Sequence, residues 1–343
     1  MKKFLAFATL ASVALVGCVN DEKMEMTSGA QKISFDTPVM STQTRAKLGE
    51  IDGTTYPTDE DFKVYAIKHS ESFTSTTWEA NDDPYYMNGV TVDYVAAIDG
   101  WKFTGKEYYW PEDGSYLTFA AYSPADASGT ATYNNNGLNL VDFLVPAATE
   151  NQYDLMYSDI KSDCTSESMI GNSEYSGVPI VFNHALSSIN FSIIKDESIA
   201  NVATLHSIKI YGVKGQGDFV QNPLGTAAWT AKGGNITSGN AYVVTNTDNT
   251  FTTAKTEVNK NDVLLLPQDL TGDAKVAISY TLDGTKYDRE FSLNTFKSGG
   301  TVIDKWEMGK RYNYVVSIAV NSIYFAPSIK TSWVDVDDIK VEL

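Results

Sequence analysis

The alternation of apolar and polar positions predicts a chain built from β-strands. Short runs in which every second residue is apolar recur along the sequence, and β-branched and aromatic residues are frequent in them. Gly, Pro, Asn and Asp separate the runs, as at Asp99-Gly100 and at Asp283-Gly284, where a hairpin turn is expected. No window long enough for a regular helix carries an apolar stripe. The clearest runs are Phe62 to Ile67, Tyr116 to Tyr122, Ile189 to Ile193, Val276 to Tyr280, Tyr287 to Leu293 and Tyr312 to Val320.

The spacing of these runs is typical of all-β sandwich domains, and the chain is long enough for two of them. A stretch rich in Ser, Asp, Glu and Gly, from Lys161 to Gly177, has little apolar content and indicates a long loop or a domain boundary. We therefore predict an N-terminal domain over residues 46–177 and a C-terminal domain over residues 178–343.

The C-terminal end has one apolar face and one charged face. Val334 and Val336 alternate with aspartates, and Ile339, Val341 and Leu343 alternate with Lys340 and Glu342, with a shift of phase at Asp337-Asp338. This pattern predicts an edge strand or a bulged strand. A strand at a chain terminus can also leave its own sheet and join the sheet of another chain.

The N-terminal end predicts a bacterial lipoprotein leader. Met1-Lys2-Lys3 is basic, and the apolar run from Phe4 to Val16 is too short to cross a bilayer. Leu15-Val16-Gly17-Cys18 has the form of a lipobox. We expect residues 1–17 to be a signal peptide, Cys18 to carry a lipid anchor, and residues 18–45 to form a polar tether that ends in a short strand-like segment.

Composition and charge exclude several classes of function. The formal net charge of −17 argues against nucleic acid and against an anionic membrane surface as partners. His69, His184 and His206 are far apart in sequence and show no ligand spacing, and no nucleophile and base stand together. With Cys18 lipidated, Cys164 has no partner and is expected to be an ordinary free thiol. We predict no catalytic residues, no metal and no cofactor, and we expect the six tryptophans to pack in cores in preference to forming a sugar-binding platform.

Arginine is scarce, and this bears on proteolysis. The chain has only Arg45, Arg289 and Arg311. The last two lie in alternating, strand-like runs, whereas Arg45 lies in a small, polar stretch of the kind where proteases cut. An arginine-specific protease is therefore expected to cut at Arg45 first.

Several motifs, taken in order, carry a family resemblance. They are Cys18 in its lipobox, Ile33-Ser34-Phe35, Thr44-Arg45-Ala46, Tyr109-Trp110-Pro111, Leu117 to Pro124, Tyr153 to Ser158, Val181 to Leu186, Leu265 to Gln268 and Trp306 to Tyr314. Together they cover nearly all of the chain after the leader. By these residues the sequence resembles the fimbrillin lipoproteins of the Bacteroidales type, the subunits of type V pili.

The resemblance implies a fold and a maturation pathway. It implies two transthyretin-like β-sandwich domains with Greek-key connections, and a lipidated, exported precursor that is cut between Arg45 and Ala46. The strand from Ile33 to about Val39 would then leave, and a terminal strand of the next subunit would fill its groove. The donor-strand candidates are Trp333, Val334, Val336, Ile339, Val341 and Leu343.

The same resemblance implies partners and a location. The partners would be other pilus subunits, the outer membrane through the lipid on the precursor, and for a tip subunit a host or bacterial surface ligand. The protein would be an outer membrane lipoprotein at the cell surface, a part of the fimbrium, or each in turn. The alternatives are a non-polymerising anchor, a tip adhesin of the same pilus, and a surface glycan-binding β-sandwich lipoprotein.

Overall fold

The computed structural model describes residues 31–36, 38–40, 56–73, 85–134, 136–170, 177–197, 199, 202–245, 247–259, 261–319 and 322–330. The first ten strands are β1 (Val39–Met40), β2 (Phe62–His69), β3 (Met87–Val95), β4 (Gly100–Phe103), β5 (Tyr116–Ser123), β6 (Thr130–Asn134), β7 (Gly137–Leu144), β8 (Met156–Ser158), β9 (Lys161–Cys164) and β10 (Val181–His184).

The remaining strands are β11 (Ser187–Lys195), β12 (Ala203–Tyr211), β13 (Lys214–Gln221), β14 (Ala227–Asn235), β15 (Tyr242–Thr245), β16 (Asn249–Phe251), β17 (Thr256–Glu257), β18 (Val263–Leu265), β19 (Gln268–Asp269), β20 (Lys275–Leu282), β21 (Thr285–Ser292), β22 (Lys297–Ser298), β23 (Thr301–Val302), β24 (Lys305–Trp306), β25 (Arg311–Ala319) and β26 (Ser322–Lys330). The described helices are short: one α-helical turn, α1 (Ser166–Met169), and 3-10 turns at Thr149–Asn151, Ser238–Asn240 and Leu293–Thr295.

These strands form four main sheets. Sheet 1 has the order β1-β10-β8-β5-β2-β3-β4, with β9 also on β5, and sheet 2 has the order β14-β13-β7-β6. Sheet 3 has the order β17-β11-β25-β26, with β18 also on β11. Sheet 4 has the order β15-β12-β20-β21, with β16 also on β12. The prediction of an all-β fold is confirmed.

Local sequence explains several of these elements. β20 and β21 pair in register from Lys275↔Ser292 to Leu282↔Thr285. The two residues between them, Asp283 and Gly284, have φ values of 52° and 77°. Two successive positive φ values are what a tight hairpin turn requires, and Asp-Gly supplies them at little steric cost.

Sheets 3 and 4 face each other and form the C-terminal sandwich. Alternate residues of β11, β12, β20 and β25 are buried between the two sheets, including Phe191, Ile208, Ile278 and Tyr314. β11 and β25 are parallel over their whole length, from Ser188↔Arg311 to Lys195↔Ile318. This sandwich is therefore completed by strands that lie within 187–330.

The central strands of sheet 1, β2 and β5, are buried on both faces. Along β2, Phe62, Val64 and Ala66 belong to one apolar cluster, and Tyr65 and Ile67 to another. The second cluster continues into the C-terminal sandwich, and sheet 2 joins β7 to β13 across the two halves of the chain. β10, which follows residue 177, pairs with β8 of sheet 1. The boundary near residue 177 stays a prediction.

Among the described residues, no helix has the length and apolar character needed to cross a bilayer. The leader, residues 1–17, and Cys18 lie outside the described residues.

Candidate functional site

A single N-terminal segment, residues 31–40, is inserted between two other parts of the chain. On one side its backbone bonds to residues 108–110: Ile33 N donates to Tyr108 O at 2.9 Å, and Trp110 N donates to Gln31 O at 2.8 Å. On the other side Val178 N donates to Ser34 O at 2.8 Å, and Asp36 N donates to Val178 O at 3.0 Å. The segment runs antiparallel to Tyr109 and parallel to Val178 and β10. We call residues 31–40 the inserted strand.

The inserted strand contributes apolar side chains to the cluster of sheet 1 that contains Phe62, Val64 and Ala66. Ile33 is 5% exposed and Phe35 is 6% exposed. The Phe35 ring makes edge contacts with Phe62, Phe103 and Phe119, at centroid distances of 5.9, 5.3 and 6.3 Å. Burying an aromatic side chain of this size contributes a few kcal/mol to stability. The inserted strand is therefore part of the core and also part of the backbone ladder.

A glycine makes the close approach of the inserted strand feasible. A Cβ at Gly177 would lie 2.7 Å from Ser34 O and 2.8 Å from the Phe35 carbonyl carbon. Such distances do not occur between ordinary side chains and backbone. The sequence indicates only that Gly177 ends a polar stretch, which is either a long loop or a domain boundary. A single sequence holds no signal for a contact with a strand so far away.

Described residues on either side of 41–55 contact each other. Tyr56 N donates to Pro38 O at 3.2 Å. The Tyr56 ring stacks on Phe182 at 4.9 Å, and its hydroxyl hydrogen-bonds Ser123 Oγ at 2.7 Å. Arg45 and Ala46 belong to 41–55 and lie outside the described residues. The flanking residues on both sides are thus anchored in the same core.

An ion pair lies at the rim of the inserted strand. Lys32 Nζ is 2.7 Å from Glu107 Oε1, and the Tyr109 hydroxyl donates to Glu107 Oε2 at 3.0 Å. The hydrogen bond from Lys32, followed by that from Tyr109, lowers the pKa of Glu107. Lys32 and Glu107 are both exposed, so the pair contributes little to stability.

The other two arginines lie in regular strands. Arg311 is buried in β25, where its Nε is 2.6 Å from Asp262 Oδ2. Asp262 also accepts hydrogen bonds from Ser188 and from Asn190. Burial acts to raise the pKa of Asp262, but the charge of Arg311 and these hydrogen bonds together hold that pKa below its ordinary value. Arg289 is exposed on β21, and its backbone is paired with β20.

The polar side chains singled out in the sequence do not come together. His69, His184 and His206 hydrogen-bond separate partners, which include Thr118, Asp154 and Asp248. Cys164 is fully buried, and burial raises the pKa of its thiol to about 12, so the reactive thiolate is scarce at neutral pH. Within the described ranges no group of three His, Cys, Asp or Glu side chains could hold a metal ion.

The described tryptophans lie in or against the core. Trp101, Trp110 and Trp306 are buried. Trp229 is half-buried against Phe143 and Phe219, and its Nε1 donates to Ala185 O at 2.6 Å. The donor-strand candidates, Trp333, Val334, Val336, Ile339, Val341 and Leu343, lie outside the described residues.

Comparison with known proteins identifies relatives over most of the chain. The family model described as fimbrillin-like matches residues 44–333. No curated protein sequence matches the chain.

Solved structures with a similar fold cover most of the chain. A fimbrial protein from Bacteroides vulgatus ATCC 8482 superposes with a TM-score of 0.57 at 16% identity, over 89% of this chain and 100% of the other. A candidate cell adhesion protein from Bacteroides uniformis ATCC 8492 superposes with a TM-score of 0.56 at 18% identity, over 90% of this chain and 100% of the other. At such low identity the likeness concerns the fold alone.

Proposed function

The chain belongs to the fimbrillin-like family, and from this premise we propose that it is a structural subunit of a surface pilus. In this proposal the precursor is lipidated at Cys18, exported to the cell surface and cut after Arg45. The cut subunit then exchanges its inserted strand for a strand of the next subunit. Family membership supports a pilus-related role, and the inserted strand supports polymerisation as the form that this role takes.

The observation that carries the proposal is the position of the inserted strand between two parts of the chain. Its backbone bonds to Tyr108 O and Trp110 N on one side and to the N–H and C=O of Val178 on the other. Its departure would remove these four hydrogen bonds and leave an apolar pocket where Phe35 lay. Such a groove is unstable in water and is well suited to a strand from another chain.

The position of Arg45 supports processing as the trigger. Residues 41–55 connect the inserted strand to Tyr56, whose backbone N already donates to Pro38 O. A cut at Arg45 would break the covalent link between the inserted strand and the remaining core without interrupting a described strand. Arg311 is shielded by burial and Arg289 by pairing with β20, so both are poorer sites for an arginine-specific protease.

The test is the N-terminus of the surface-displayed protein in cells that make it and its processing protease. The proposal predicts a pilus-associated form that begins at Ala46, and predicts that Arg45→Ala stays lipidated and unpolymerised. A conservative control, Arg289→Ala, should be processed and assembled like the parent.

Two results would count against the proposal in different ways. Polymer made from subunits that still begin at lipidated Cys18 would contradict processing as the trigger. A surface form that begins at Cys18 and never polymerises would favour the anchor alternative, in which the lipid is retained. Lipidation itself is tested by palmitate labelling, which Cys18→Ala should abolish.

A further inference from the structure

A cleft beside the start of the inserted strand is not used by the proposed function. Its volume is about 610 Å³, within the range of roughly 300–1,000 Å³ that is usual for small-molecule sites. It is lined by Gln31, by Trp110 and the turn that follows it, and by residues 165–167 at the start of α1. β9 pairs with β5, with Leu117 opposite Cys164, so the residues just before β5 lie next to those just after β9. Strand pairing therefore brings the lining residues together.

The cleft is acidic. Glu112 and Glu167 line it and are both exposed, and the described lining residues include no Lys, Arg or His. Glu167 lies in the first turn of α1, whose start is fixed by a capping box between Thr165 and Ser168. Carboxylates accept hydrogen bonds from a ligand and repel an anion. A phosphate, a sulfate or an acidic sugar is therefore disfavoured as the ligand.

The cleft also includes a residue whose hydrogen-bond donor lacks an acceptor. Trp110 is 4% exposed and packs edge-on against Phe119, with ring centroids 6.0 Å apart. Its backbone N–H donates to Gln31 O, but its buried indole Nε1 has no acceptor within the ranges that the structure describes. Because a buried tryptophan N–H usually has a partner, its place in a cleft wall indicates that a ligand supplies the acceptor, directly or through a bridging water.

Few chemical groups suit this combination of lining residues. An ammonium or guanidinium ion could donate to the two glutamates, but it has no acceptor for the Trp110 N–H. An anion has acceptors, but the glutamates repel it. A hydroxyl group both donates and accepts and carries no charge, so a ligand with many hydroxyls can satisfy both kinds of partner. Tyr116 is half-buried in the same lining and adds aromatic surface for the C–H face of a sugar ring.

We propose that this cleft is a binding site for a neutral saccharide of a few rings. A peptide backbone also donates and accepts, but an extended peptide commonly binds by adding to an exposed sheet edge. The strand backbone beside the cleft is already paired, since Trp110 N donates to Gln31 O and β9 pairs with β5. The cleft thus presents side chains to its ligand, which favours a saccharide over a peptide.

A second cleft provides a matched control. It lies beside β15, has a volume of about 520 Å³ and contains one exposed glutamate, Glu150. Its described lining residues include no aromatic residue and no buried side-chain donor without a partner. The two clefts are therefore similar in size and in the sign of their charge, but only the first has the features that carry the proposal.

The test uses the uncut full chain with Cys18→Ala, so that binding is measured apart from strand exchange. The probes are four neutral oligosaccharides (maltotriose, mannotriose, triacetylchitotriose and lactose), the acidic sialyllactose and the peptide Gly-Ser-Gly. Saturation-transfer NMR detects binding, and calorimetric titration gives the affinity. We expect at least one neutral oligosaccharide to bind. Saturation transfer to none of them, or tighter binding of sialyllactose or of the peptide, would overturn the proposal and leave the proposed function standing.

Three variants locate the site. Glu112→Ala/Glu167→Ala should weaken saccharide binding at least about tenfold, because hydrogen bonds to charged groups are strong. Trp110→Phe keeps an aromatic ring and removes the donor, so affinity should fall about threefold or more. Glu150→Ala, in the second cleft, should bind like the parent. Unchanged affinity in the double glutamate variant, or a loss in Glu150→Ala as large as in that variant, would overturn the assigned site. Should thermal unfolding show that Trp110→Phe is destabilised, the double glutamate variant decides, since both of its positions are exposed.

Discussion

Phe35 and Tyr314 are both buried among aromatic rings, but they differ in how the chain links them covalently to the rings they contact. Tyr314 stacks on Phe191 at 5.2 Å, and both rings belong to strands of the C-terminal sandwich. Phe35 packs on Phe62, Phe103 and Phe119, yet the chain that links it covalently to these residues runs through 41–55. A single cut in 41–55 would leave the contacts of Tyr314 within one continuous chain. The contacts of Phe35 would then join two separate polypeptides in a bimolecular complex.

A buried segment need not be a permanent part of its domain. The inserted strand is as well buried as a core strand, so its contacts stabilise the intact chain. Its contacts become exchangeable once the covalent link is cut, because dissociation then gains translational freedom. In the C-terminal sandwich the buried Arg311–Asp262 pair joins β25 to the loop before β18 within one continuous chain.

The largest expected effect lies in the C-terminal sandwich. Arg311→Met leaves Asp262 buried without its counter-charge, so we expect the free energy of unfolding to fall by about 3–5 kcal/mol. Denaturant unfolding followed by tryptophan fluorescence measures it. The control, Asp262→Asn/Arg311→Met, removes both charges and should recover most of the loss. A double variant no more stable than Arg311→Met would contradict the assigned role of the pair.

The next effect lies in the groove. Phe35→Ala removes a ring from the pocket of Phe62, Phe103 and Phe119 and should cost about 3 kcal/mol. Unlike the loss in Arg311→Met, this loss should appear as faster hydrogen exchange at the Ile33, Trp110 and Val178 amides, with the C-terminal sandwich unchanged. Val39→Ala, at an exposed position, should change stability by less than about 0.5 kcal/mol. Uniform loss of protection over both halves would show that they unfold as one unit.

A smaller effect is expected at Gly177. Gly177→Ala should push the inserted strand away from residue 178 and cost about 1–2 kcal/mol, seen as faster exchange at the Asp36 and Val178 amides. The matched control is Gly272→Ala, because a Cβ at Gly272 meets nothing within 4 Å. Gly272→Ala should be neutral or slightly stabilising. Unchanged exchange in Gly177→Ala would mean that the strand is not held against residue 177.

The smallest expected effect is a change in how the free energy of unfolding depends on pH. Because the pKa of Asp262 is lowered in the folded chain, its contribution to the free energy of unfolding is fully present above the ordinary aspartate pKa. That contribution is lost as the pH falls through the lowered folded value. In Arg311→Met, burial without a counter-charge should raise the same pKa, so stability should increase as the pH falls towards 4. The unfolding free energy of both proteins between about pH 7 and pH 4 measures this, and parallel curves would contradict the account.

The sequence predicted the strands whose pattern is local. The alternation at Ile189 to Ile193 and at Tyr312 to Val320 corresponds to β11 and β25, and Asp283-Gly284 is the turn between β20 and β21. No strand was predicted over Lys214 to Asn235, where β13 and β14 are rich in glycine and polar residues. β13 and β14 are held in sheet 2, where β7 pairs with β13, and such a distant pairing leaves no periodic signal in one sequence.

The candidate site was likewise predictable from the sequence only where its pattern is local. The strand-like character of Ile33-Ser34-Phe35 was visible from its alternation. Its two neighbours, Tyr109 and Val178, and the close approach at Gly177 were not, because each joins residues far apart in the chain. The buried pairing of Arg311 with Asp262 was also missed, since an arginine in an alternating run does not show which acid it will meet.

The most direct test of exchange is a reversible disulfide, called the lock below, that ties the inserted strand to its neighbour. Lys32→Cys/Tyr109→Cys, with Cys18→Ala, places two thiols at a non-hydrogen-bonded pair, so oxidation should tie the strand to residue 109 within one chain. The protein is cut with an arginine-specific protease and its mass in solution is measured by light scattering, before and after reduction. The account predicts cut monomers while the disulfide is intact, then polymers and a released N-terminal fragment after reduction. Polymers formed with the lock intact, or cut monomers that keep the fragment after reduction, would contradict it.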